Sequence, residues 1–70
     1  MIYELLKRWQ ADSSSVTEQE INEAFEQRYT LLTPSRKDQC LFGAISLLKD
    51  NLSTNVNRLI EQYEENPWSD

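Results

Sequence analysis

The sequence predicts an all-α protein, built as a small bundle or orthogonal array of three to four short helices. Three observations predict this class. Apolar residues recur at helical spacing, helix-start signals precede the periodic stretches, and short polar breaks separate them without any long low-complexity tract.

The first helix is expected over Ile2 to Gln10. Ile2, Leu5, Leu6 and Trp9 fall at i, i+3, i+4 and i+7, one apolar stripe. Asp12-Ser13-Ser14-Ser15 ends it, because short polar side chains compete for the helical backbone. A second helix starts at Thr17-Glu18-Gln19-Glu20, a capping-box pattern with Thr17 as N-cap and Glu20 at N3. Val16 and Ile21 offer a hydrophobic staple. The face continues through Ile21, Ala24, Phe25, Tyr29 and Leu32, while Glu18, Glu20, Glu23 and Glu26 carry the polar side.

Thr33-Pro34-Ser35 is the strongest punctuation in the chain. Pro34 suits the first position of a new helix with Thr33 as N-cap, and Ser35 with Asp38 three residues on is a second candidate cap. The third helix is expected to run to about Asn51. Leu41, Ile45, Leu48 and Leu52 form its stripe, widened by Cys40, Ala44 and Leu47, so this most apolar helix is placed at the centre. Asn51 to Asn55 prefers caps and turns, which favours a break over one long helix. Ser53 or Thr54 then caps a fourth helix containing Val56, Leu59, Ile60 and Tyr63. Asn66-Pro67 stops it. The chain reads as one domain, 1–70, with 66–70 as a flexible acidic and aromatic tail.

Composition narrows the function. The chain has no histidine, one cysteine and one glycine. Histidine-dependent nucleophile pairs, a structural zinc site and a glycine-rich phosphate loop are therefore absent from the reading. The glutamates at Glu61, Glu64 and Glu65 flank the apolar stripe and lack the histidines of carboxylate di-metal sites. No enzyme activity, no metal and no cofactor are expected. A core of 70 residues without a disulfide or metal is small, so self-association is its expected support, as a homodimer. The longest uncharged apolar run, Cys40 to Leu48, is too short for a membrane span. The charged first residues do not read as a signal peptide, and a reducing cytoplasm is expected. The net charge of −5 argues against general binding to nucleic acid or anionic membranes.

The expected function is therefore a protein–protein interaction module acting as a regulator, adaptor or inhibitor. Phe42 lies off the main stripe of the third helix, and Trp68 follows Pro67 in the acidic tail. With Leu47 and Tyr63 they are the candidate apolar contacts. Glu23, Glu26, Glu64 and Glu65 are the candidate acidic contacts, since residues 13–32 and 54–70 each carry a net −3. The alternative is a helix-turn-helix DNA-binding regulator that reads bases with Arg36, Lys37 and Gln39 at the start of the third helix. Against it stand four glutamates in the preceding helix and a strongly apolar recognition helix. A further alternative is an acidic nucleic-acid mimic that fills a phosphate-binding groove. Cys40, inside an apolar run, reads as a small buried hydrophobe.

Overall fold

A computed structural model describes residues 2–66. Residues 67–70 of the tail, Trp68 among them, lie outside the described residues. Four α-helices follow in chain order: α1 (Ile2–Ala11), α2 (Glu18–Gln27), α3 (Arg36–Lys49) and α4 (Val56–Glu65). Short 3-10 turns at Ser13–Ser15, Arg28–Thr30 and Ser53–Asn55 link them, and no strand occurs among the described residues. The all-α fold is the one the periodicity predicts.

The most apolar helix is the central one. α3 packs against α1, α2 and α4. Leu6, Ala44, Ile45, Val56 and Ile60 are fully inaccessible, and Ile2, Ala24 and Leu48 complete the core. Burying each large aliphatic side chain of this set contributes about 1.5–3 kcal/mol. The buried set is wholly apolar among the described residues. Cys40 belongs to the same interior, its thiol donating to the Leu59 carbonyl at 3.2 Å. Burial pushes the thiol pKa up, because the thiolate would lose its water.

Local chemistry sets the helix ends. Asp12 caps the first turn after α1, its carboxylate accepting the Ser14 N–H at 3.0 Å. Thr17 caps α2 by accepting the Glu20 N–H at 3.1 Å. The reciprocal half of the expected box goes elsewhere: the Glu20 carboxylate pairs with Arg8 at 2.9 Å and ties α2 to α1.

Four expectations are corrected. α2 ends at Gln27 rather than carrying its stripe to Leu32. The chain tightens into a 3-10 turn, the Thr30 hydroxyl donates to the Gln27 carbonyl at 2.7 Å, and Leu31 is extended. Pro34 keeps α2 from running on into α3, since a continuing helix would drive its ring into the carbonyl four residues back. Tyr29 and Leu32 are consequently exposed, at 68% and 98%. Second, Ser35 and not Thr33 caps α3, in a full capping box with Asp38. A Thr33 cap would put Arg36 at the third helical position, where no acceptor could return the bond.

Third, α3 stops at Lys49, with Asn51 in the left-handed region at φ 59°. The Leu52 N–H reaches the Leu47 carbonyl at 2.7 Å and the Asn51 N–H reaches Leu48 at 3.1 Å, a Schellman closure. Leu52 thereby leaves the stripe and is exposed. Fourth, neither Ser53 nor Thr54 caps α4. They form the preceding 3-10 turn, and Asn55 precedes α4 without a side-chain cap bond. The expected break between the third and fourth helices is present.

Candidate interaction cleft

α1 and α2 lie antiparallel on α3. Arg8 meets Glu20 near one end, while Ile2 and Tyr3 face Gln27 and Thr30 near the other. At that second end the four helices leave an open cleft of about 420 Å³. Ile2, Leu41 and Phe42 line its apolar part, Tyr3 and Tyr63 one wall, and Gln27, Thr30, Leu31 and Asp38 the rim.

Two sets of contacts hold the walls. The Tyr3 and Tyr63 rings sit 5.0 Å apart and tilted by 38°. The Tyr3 hydroxyl donates to the Glu64 carboxylate, which Lys7 Nζ also approaches at 3.1 Å. These bonds hold the Glu64 carboxyl below the usual range, Tyr3 first and Lys7 second. The same carboxylate raises the Tyr3 phenol, because ionisation would break the bond and place two negative charges together. Lys37 Nζ lies 5.4 Å from the Tyr63 ring centroid, a cation–π contact at the cleft's edge. On the opposite side, the Arg28 guanidinium lies 3.8 Å from the Phe25 ring centroid and 4.6 Å from that of Tyr29. That stack anchors the 3-10 turn from which Leu31 and Leu32 project.

The sequence-predicted residues divide. Phe42 and Tyr63 meet in the cleft. Leu47 does not join them: it packs half-buried against the core and lines no part of the cleft. Glu23 is exposed on the face of α2 that looks across a groove to Glu4. Glu26 and Glu65 are exposed outside that groove, and Glu64 is bonded to α1. Arg36, Lys37 and Gln39 occupy the exposed first turn of α3, where Gln39 donates to the Pro34 carbonyl at 3.3 Å. Beyond that turn α3 packs against the other three helices.

The sequence reading missed Ile2, Tyr3, Glu4, Leu31 and Leu32. Leu31 and Leu32 carried a usable signal, because two leucines just before Thr33-Pro34 cannot stay in a helix. Ile2 and Tyr3 carried none, since only the packing of α1 brings them to Phe42. Among the described residues, no helix is long and apolar enough to cross a membrane, and no group of three or more metal-ligating side chains converges. No protein-family model, curated protein or solved structure matches the chain.

Proposed function

We propose that this protein is a protein–protein interaction module that acts by occupying a partner's surface, as a regulator, adaptor or inhibitor. The observation that carries the reading is the apolar cleft at Phe42 with Leu31 on its rim, followed in the chain by Leu32, a leucine 98% exposed. An aliphatic side chain so exposed gains nothing from the fold, and covering it in a complex contributes about 1.5–3 kcal/mol. The cleft supplies the concave, partly aromatic surface on which binding energy concentrates. The lone thiol, buried at Cys40, supports a reducing, cytoplasmic setting.

The test is a pull-down from the native host with wild-type and Leu32→Asp baits. Leu32 has no packing to lose, so the variant keeps its helical circular dichroism. A partner held by the wild type and weakened about tenfold or more by the substitution is the expected result. Retention of every partner by Leu32→Asp would overturn the reading.

Self-association is a second reading, favoured by Tyr29, Leu31 and Leu32 being exposed together on one short stretch. Sedimentation velocity decides it. A concentration-dependent dimer abolished by Leu32→Asp assigns this loop to a homodimer, and a monomer at all concentrations removes that assignment.

A further inference from the structure

The cleft is one end of a longer valley. Gln27 lines both the cleft and a second groove of about 220 Å³ between α1 and α2. The floor of that groove is Leu5 and Ala24, and its walls carry Glu4 from α1 with Glu20 and Glu23 from α2. The Arg8–Glu20 pair spans the valley at its far end. Glu20 is thus neutralised, whereas Glu4 and Glu23 form no ion pair among the described residues. Glu23 accepts only the Gln19 amide, at 3.3 Å. From Gln27, shared by both, Glu23 is four positions back, about 6 Å at helical rise, and Glu4 directly follows the cleft residues Ile2 and Tyr3.

We infer that this valley takes an amphipathic helical segment of a partner protein, with an apolar anchor in the Phe42 cleft and lysine or arginine about one turn away between Glu4 and Glu23. A valley between two antiparallel helices matches the ridge of a third helix, and side chains three or four residues apart share one helical face. The anchor fills the apolar end, and the basic side chains answer two carboxylates that lack a cation. A second copy of this chain fits the valley poorly, because it brings a net charge of −5 toward the same carboxylates. The inference rests on the Phe42 cleft and the neighbouring Leu31–Leu32 loop being a protein contact, and it adds the chemistry of the occupant.

The experiment is an amide NMR titration of the whole protein with three synthetic helix-stabilised peptides of about twelve residues. One carries a leucine anchor and two lysines, three and four residues away. The second replaces those lysines by glutamate, and the third replaces the anchor by serine. Shifts at Glu4, Glu23, Gln27, Leu31 and Phe42 with the first peptide are expected, with about tenfold weaker binding of the other two. The Glu4→Lys/Glu23→Lys variant, whose changes are on exposed positions, reverses the preference between the first two peptides. Equal binding of the lysine and glutamate peptides overturns the inference, as do shifts confined to another face or no shifts with any peptide. A native partner lost by Leu32→Asp but kept by Glu4→Lys/Glu23→Lys overturns this inference alone and leaves the contact face standing.

Discussion

Glu64 accepts from two α1 residues that stand 61 and 57 positions away in sequence. Its carboxyl is held low by Tyr3 and then Lys7, that of Glu20 by Arg8, and that of Asp12 by the Ser14 hydroxyl and N–H. A carboxyl with a lower pKa folded than unfolded adds stability above its unfolded value, about 4, and that contribution is lost as pH falls through the folded value. The melting temperature should therefore fall as pH drops below about 4. Glu64→Gln should flatten that fall, and an unchanged acid limb in melts across pH would remove Glu64 from the account. Tyr3 has the opposite sign: its raised pKa gives a contribution present below about pH 10 and lost as pH climbs through the folded value. Asp12 and Glu64 are exposed and Tyr3 and Glu20 partly so, and solvent screening keeps each effect small. Residue types alone identified Cys40 as buried and Phe42 as set apart from the main stripe. The partners of Glu64 were not legible, because they depend on where α1 and α4 meet.

At the scale of the element, local rules were most informative where a side chain competes for its own backbone. The Ser35–Asp38 box, the Thr17 cap and the break after α3 follow from residues three or four apart, and all were legible. Errors arose where periodicity continued past a stop. Tyr29 and Leu32 fit the α2 stripe, and Leu52 fits the α3 stripe, yet Pro34 and the left-handed turn at Asn51 remove them. Gly43 offers an element-scale prediction. It sits within α3 with no positive φ, and an added Cβ would meet Leu59 Cδ1 at 3.6 Å, an ordinary van der Waals contact. Gly43→Ala should therefore stabilise the protein by about 0.5–1 kcal/mol, through the lower backbone entropy of the unfolded chain and better helix propensity. Urea titration reads this as a higher midpoint at unchanged slope. A lower midpoint would mean that Leu59 cannot tolerate the methyl group.

At the scale of the whole molecule, one helix holds the other three. Ile45 is fully buried in α3, so Ile45→Ala leaves a cavity at the meeting point and should cost about 2–5 kcal/mol. A 70-residue chain has only about 4–10 kcal/mol of stability in all. The variant should thus be largely destabilised in urea melts, while Ile45→Val should cost about 0.5–1.5 kcal/mol. A loss below 1 kcal/mol for Ile45→Ala would contradict the central role of α3. By itself the sequence determined the helical class, the Thr17 cap, the centrality of α3 and the buried thiol. Each of these depends on spacing within a turn or two of helix, or on the summed hydrophobicity of one segment. Only the tertiary structure decided that α1 and α2 run antiparallel with a valley between them, that Glu4 faces Glu23, and that Ile2 and Tyr3 join Phe42 and Tyr63. Those juxtapositions depend on how four short apolar stripes share one core, and a stripe specifies which face is buried without specifying what lies across from it.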